Sequence, residues 1–317
     1  MTNIYSNIIK VNNKNIARSI KYLKKNETVA VPTETVYGLA GNAYSDDAIR
    51  KIFKLKNRPT INPLIIHYYS VDDLAKDAEL NKKFFILFKK FCPGPITFIL
   101  KKKSSSRVSN IANAKLDTIA VRFPKNKDIR KILKKLNFPL AMPSANKSSS
   151  ISPVCAKDVA EEFKNKLKII LDGGKCKIGI ESTVVDLTQN INILRPGFIS
   201  KDKISKILNS KIFSNKSLKT IKAPGSLKKH YSPGIPMKLN QTKVFNNCAF
   251  IIFGKKYIET KNTFNLSKNS NLNEAARNLY KIFRKIKGKQ YKKIYVVKIP
   301  NKGVGIAIND RLKHAAN

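Results

Sequence analysis

Acidic side chains are scarce in this chain: 20 Asp and Glu stand against 63 Lys and Arg, for a formal net charge of +43. No group of acids, histidines or cysteines falls at metal-ligand spacing, so a dedicated metal centre is not expected. Histidine occurs only three times. Cys92, Cys155, Cys176 and Cys248 are scattered with no C-x-x-C pair, which argues against a zinc knuckle or a redox pair and fits a reducing cytoplasm. No serine, histidine and acid set of a nucleophilic hydrolase is evident. No apolar run approaches the roughly 20 residues of a membrane span. The opening MTNIYSNIIK lacks the cationic start and apolar run of a secretory leader. The expectation is a cytoplasmic protein with no membrane partner.

What is present points to a folded α/β chain. Hydrophobic residues make up 42% of 317 positions, enough for a core and unlike a disordered chain. That length allows two domains at roughly 150 residues each. The positive charge attracts polyanions such as nucleotides and RNA. The excess is mostly lysine, spread beside abundant Ile and Asn, and a codon bias would give the same pattern. Weak RNA contact and bulk composition both stay open as readings of the charge.

The densest stretch runs from Val31 to His67. Thr28 to Val31 reads as a buried strand, followed by a turn carrying Thr33, Glu34, Thr35 and Tyr37. Ser45 is placed as a helix N-cap with Asp46 and Asp47 in the first turn. Ile49, Ile52 and Phe53 give that helix its apolar face. Pro59 and Pro63 end it, releasing Lys56, Arg58 and Asn62 into a loop before a second strand, Leu64 to His67. The stretch is read as one βαβ-like unit with hydroxyls, cations, an amide and an imidazole at its loop ends, where α/β sheets bind ligands. Taken singly, each of these residues has an ordinary structural reading. Their density within one unit favours a site.

Further along, Ile96 to Leu100 and Thr118 to Phe123 read as strands. In the second, Thr118 and Arg122 share a face by period two. An arginine buried there needs an anionic partner, either a protein carboxylate or a ligand. A serine-rich loop, Pro143 to Pro153, offers Ser144, Asn146 and Ser152. Gly179 to Asp186, G-I-E-S-T-V-V-D, holds Glu181, Ser182 and Thr183, which a strand alone would not require. Pro196 and Gly197 form a turn that aims Arg195. A polar, lysine-rich segment follows, and within it His230 and Tyr231 exceed what a spacer needs. Strands at Ala249 to Phe253 and Ile294 to Val297, with helices at Leu272 to Ile286 and Gly303 to Ala315, complete a small α/β unit.

Several strings in this order resemble one family. P-T-E-T-V-Y-G-L, K-x-R-x-x-x-N-P-L-x-x-H, P-G-P-x-T, S-A-N, G-x-E-S-T-V-V-D, A-P-G-x-x-x-x-H-Y-x-P and G-x-G-x-A-I-N-D-R-L are similar to segments of the threonylcarbamoyl-AMP synthases in their long, two-domain form. The family's usual glycine and proline after S-A-N are replaced here by Ser149 and Ile151. The resemblance implies a YrdC-like twisted mixed sheet with helices over 1–208, a linker or lid over 209–236, and a small Rossmann-like α/β domain over 237–317. It implies a nucleotidyltransferase that condenses L-threonine, bicarbonate and ATP into threonylcarbamoyl-AMP and pyrophosphate. The product then feeds threonylcarbamoyladenosine modification of tRNA through a partner transferase.

The resemblance also implies roles. Lys56, Arg58 and Ser182 would be catalytic. Arg58, Asn62, Thr118, Ser144, Asn146, Ser152, Arg195 and Tyr231 would hold ATP, and Thr35, His67, Arg122 and Ser182 would hold L-threonine. Mg2+ would arrive with ATP, the triphosphate supplying much of its coordination. Ala223 to Pro236 is expected to fold over the cleft, because a carbamate and a mixed anhydride are both labile in water. A non-enzymatic RNA-binding module is the alternative that charge alone suggests. It leaves Glu181-Ser182-Thr183 and His230-Tyr231 without a purpose.

Overall fold

Asparagine, abundant in the chain, starts four of its helices: Asn12, Asn81, Asn126 and Asn271 each accept a backbone N–H through the side chain. The computed structural model describes residues 3–210, 212, 230–243 and 246–316. In chain order these give β1 (Ile8–Lys10), α1 (Asn13–Lys24), β2 (Val29–Val31), β3 (Gly38–Asn42), α2 (Asp46–Lys56), β4 (Ile65–His67), α3 (Val71–Ala75) and α4 (Lys82–Phe91). Then come β5 (Ile96–Lys101), β6 (Thr118–Arg122), α5 (Lys127–Lys134), β7 (Leu140–Ala141), α6 (Ala156–Phe163), β8 (Ile170–Asp172), β9 (Thr183–Asp186), β10 (Asn192–Arg195) and α7 (Lys201–Leu208). The remainder holds β11 (Met237–Lys238), β12 (Cys248–Ile252), β13 (Thr263–Asn265), α8 (Leu272–Lys287), β14 (Lys293–Val296) and α9 (Gly305–Ala316).

The first ten strands make one mixed sheet in the order β1-β8-β2-β3-β7-β4-β6-β5-β9-β10. Its two faces are covered by separate apolar layers. One gathers Tyr37, Phe84, Phe98, Phe123 and Phe163; the other gathers Ile16, Ile20, Leu23, Ile129, Ile132 and Leu133 from α1 and α5. The last four strands form a second, all-parallel sheet, β11-β14-β12-β13. Its core is not sealed from the first. Val36, Ile151 and Ile180 pack in one cluster with Tyr231, Tyr280, Phe283 and Ile308. Gly179 sits at this junction with φ +84°, and a Cβ there would lie 2.6 Å from the Arg277 Cα. Only glycine permits both that backbone conformation and that approach.

The Val31–His67 stretch departs from the βαβ reading. The turn after β2 leads into a strand that the sequence did not reveal, β3, which pairs antiparallel with β2. β7 then inserts between β3 and β4, antiparallel to both. The two strands expected to form the unit, β2 and β4, therefore run in opposite directions. The crossover is β3–α2–β4. The sequence Gly-Leu-Ala-Gly-Asn has little β-propensity, and the pairing of β3 is supplied by its neighbours. The helix itself follows expectation: Ser45 caps it, Asp46 and Asp47 occupy the first turn, and Asn57 closes it in the left-handed conformation.

Candidate functional site

Strand register sets the first part of the site. His67 on β4 pairs with Arg122 on β6, and Arg122 pairs with Thr97 on β5. Directly opposed residues project to the same face, so these three side chains form a row. Thr97 Oγ1 lies 2.7 Å from Ser182 Oγ, just before β9. The turn after β2 supplies the rest of the row's environment. Arg122 donates to Glu34 at 2.6 Å and to Thr35 Oγ1 at 2.9 Å, and Thr35 lies 2.9 Å from Thr33 Oγ1. Glu34 also accepts from the backbone N–H of Lys125 and Asn126. The buried arginine of β6 thus has a protein carboxylate as partner, yet its Nε finds none among the described residues.

A cavity opens beside this row. Arg58, Arg122, Arg195, His67, Ser144, Glu181, His230 and Tyr231 are among its lining residues, with Thr33, Tyr37 and Met142. Arg58 is fixed by its own loop, donating to the carbonyls of Asn62 at 3.1 Å and Pro63 at 3.0 Å. Burial and the nearby Arg195 push its guanidinium down to about 10, which still leaves it charged at neutral pH. Arg195 is aimed by the tight turn behind it. Gly197 passes so close to β9 that a Cβ would meet Thr183 N at 2.2 Å. Arg195 donates to the Ser182 carbonyl and to Ser182 Oγ.

Several polar atoms of the cavity lining are unsatisfied. Buried polar groups almost always find partners, and each exception calls for an explanation. Among the described residues that line it, Arg122 Nε, His230 Nδ1 and the Tyr231 hydroxyl have none; Asn62, one residue before the lining Pro63, leaves both side-chain atoms open. Donors and acceptors left open beside three arginines suit a ligand that is anionic and carries several hydrogen-bonding groups. Burial and the Arg122 cation push the His67 imidazole well below its ordinary range, and burial takes His230 down to about 3. Both rings are neutral at physiological pH, so the cavity's positive charge comes from guanidinium groups.

Some residues singled out from sequence stand elsewhere. Lys56 is buried beneath the S-A-N loop, its ammonium bonded to the carbonyls of Ser144 and Asn146. It does not line the cavity with the three arginines; it fixes the loop that does. Thr118 opens β6 at the end away from Arg122, paired with Lys101, and is not among the lining residues. Ser152 gives its hydroxyl to Glu181 at 2.6 Å, and Ser182 lies behind Arg195. His230 and Tyr231 are buried against the cavity, Tyr231 with φ +61°, unusual for an aromatic residue. Of the rest of the expected cover, Ala223 to Lys229 lies outside the described residues, and Ser232 to Pro236 follow His230 and Tyr231 within them.

The sequence reading passed over Tyr280 and Arg311. Both belong to the second α/β unit, and both bond Glu181: the Tyr280 hydroxyl at 3.0 and 2.9 Å, Arg311 Nε at 2.8 Å. Burial alone would raise the Glu181 carboxyl, but Arg311 and Arg195 hold it down at about 2. Among the described residues no group of three acids, histidines or cysteines is placed to hold a metal ion. No helix among them is long and apolar enough to cross a membrane.

Comparison with known proteins adds to this geometry. A family profile named for Sua5, YciO and YrdC and described as telomere recombination matches residues 21–197. A second, described as the threonylcarbamoyl-AMP synthase C-terminal domain, matches residues 199–317. The chain is 36% identical to the threonylcarbamoyl-AMP synthase of Pyrococcus abyssi, over 93% of this chain and 92% of that one. It is 32% identical to the Bacillus subtilis protein of the same name, over 97% and 94%. The crystal structure of P. abyssi Sua5 complexed with L-threonine superimposes with a TM-score of 0.89 at 33% identity, covering 98% of this chain and 97% of that one.

Proposed function

Because the chain belongs to the threonylcarbamoyl-AMP synthases, we propose that its cavity condenses L-threonine, bicarbonate and ATP, as a nucleotidyltransferase of the cytoplasm. The threonine amine bonds the bicarbonate carbon with loss of water. An oxygen of the resulting carbamate attacks the α-phosphorus, and the bond to the pyrophosphate oxygen breaks. The products are threonylcarbamoyl-AMP and pyrophosphate, and the adenylate passes to a transferase acting on tRNA.

Little covalent work falls to the protein in such a step; the barrier is charge and positioning. Arg58 and Arg195 are the cations for the phosphates, with Asn62, Ser144 and Asn146 around them. Lys56 acts through the S-A-N loop it anchors, and Ser152 through Glu181. Thr118 and Ser182 contribute less directly than their motif positions imply. The row of His67 and Arg122, with Thr35 behind it, suits the amino acid: a guanidinium for the carboxylate and a neutral imidazole for a hydroxyl or amine. His230 and Tyr231 cover the labile intermediate from water, near the end of a segment joining a catalytic domain that ends near Leu208 to the smaller one. Mg2+ enters as part of the nucleotide substrate, since Glu181, the one lining carboxylate among the described residues, is already bonded by Arg311.

The observation that carries this reading is the set of open polar atoms on Arg122, His230 and Tyr231 in a cavity lined by three arginines. Mass spectrometry of products from ATP, threonine and bicarbonate tests it. A threonylcarbamoyl-AMP species that disappears when bicarbonate or threonine is withheld is expected. Its absence with all three present would defeat the proposal, and retained RNA binding would then favour a non-enzymatic module.

A further inference from the structure

Glu181 poses an electrostatic difficulty that the first domain does not solve alone. It is the one carboxylate among the described lining residues of a cavity otherwise charged by Arg58, Arg122 and Arg195. A nucleotide bound there carries several negative charges, and an unpaired carboxylate alongside would oppose it. In the structure both Glu181 oxygens are filled. Oε1 accepts from Ser152 at 2.6 Å and Tyr280 at 3.0 Å; Oε2 accepts from Tyr280 at 2.9 Å and Arg311 at 2.8 Å. Two of these three partners belong to the second domain.

Arg311 is placed to do more than pair. It is fully buried, and its guanidinium carbon lies 5.0 Å from the centroid of the Tyr231 ring. Tyr231 in turn stacks on Tyr280 at 5.8 Å. One cation therefore touches both the acid and the aromatic residue that line the cavity, without lining it itself. Asp310 holds the other end of the guanidinium at 2.6 Å. An arginine meets these demands where a lysine does less well: its planar fork bonds two carboxylates and lies over a ring at once.

We propose that Arg311, on α9 of the second domain, is a positioning residue for the nucleotide half of the site. It neutralises Glu181 and seats Tyr231 against the cavity. The smaller domain then takes part in ATP binding without touching ATP. This rests on the nucleotide reading of the cavity given above.

The test uses the full-length chain, with ATP and threonine binding measured separately by calorimetry and melting temperature recorded alongside. Arg311→Ala should weaken ATP binding on the order of tenfold or more, while threonine binding changes by less than about twofold. Arg311→Ala/Glu181→Gln should recover most of the ATP affinity, because no carboxylate remains to be neutralised. Equal losses for both ligands, or no recovery in the double variant, would reduce Arg311 to a tether between domains. Should Arg311→Ala fail to fold, the double variant decides: ATP affinity near that of the unaltered chain supports the proposal, and a loss overturns it. If neither folds, Arg311→Lys decides by the same comparison: a loss confined to ATP supports the proposal, and equal losses for ATP and threonine overturn it. The readout is binding, so it stands apart from whether the unaltered chain yields the adenylate.

Discussion

At the scale of single residues, location separates the cations that line the cavity from those that stand elsewhere. Arg58 is locked by two backbone carbonyls and faces the cavity, whereas Lys287 ends α8. Arg58→Ala is expected to raise the KM for ATP on the order of tenfold or more; Lys287→Ala should leave it within about twofold. Pyrophosphate release kinetics check both, and equal effects would mean that bulk charge does the binding. The cavity histidines carry a second expectation. His230 is held neutral, down to about 3, against an ordinary value of 6.5. The unfolded chain therefore binds a proton there below pH 6.5 that the native chain refuses, and stability falls as the solution is acidified toward 3. The slope from this one group approaches about 1.4 kcal/mol per pH unit. Melting curves between pH 7 and 5 should show the decline, and His230→Gln should make it shallower.

At the scale of elements, what was legible had local causes. The helix α2 was readable because cap, acidic first turn and apolar stripe all lie within a dozen residues. Arg122 was readable as a cation in need of an anionic partner because it lies within a buried strand. β3, with two glycines, and the three-residue β1 and β13 carry too little local signal and exist by pairing. Lys56 is the last residue of α2, not part of the loop after it, and its position announces a cation but not which way its amine turns. Glu34 stood in the recognised turn, yet its service to Arg122 depends on β6, far along the chain. Contacts between elements also give a prediction. Gly179→Ala would force a Cβ against the Arg277 backbone at positive φ. It should cost about 1–3 kcal/mol of stability and loosen the junction, read as a lower melting temperature and a larger radius in solution scattering. An unchanged melting temperature would show that the junction yields easily.

At the scale of the whole molecule, the two sheets are topologically separate but share an apolar cluster that takes Val36, Ile151 and Ile180 from one and Tyr280, Phe283 and Ile308 from the other. A shared core couples unfolding, so scanning calorimetry should show one cooperative transition. Two resolved peaks would mean that the cluster is a contact surface only. Neither this cluster nor the Arg311–Glu181 pair could be read from sequence, because each partner is ordinary within its own segment. An arginine in I-N-D-R-L is a surface cation until the fold brings it to a buried acid.

That pairing also orders events in time. Glu181 leaves the ribosome 130 residues ahead of Arg311, a lag of roughly 7 to 26 s at ordinary rates of translation. Throughout that interval the first sheet can assemble its arginines, yet the acid among them has no cation from α9. If Arg311 acts as proposed, a nascent chain gains full affinity for nucleotide only once α9 has been made.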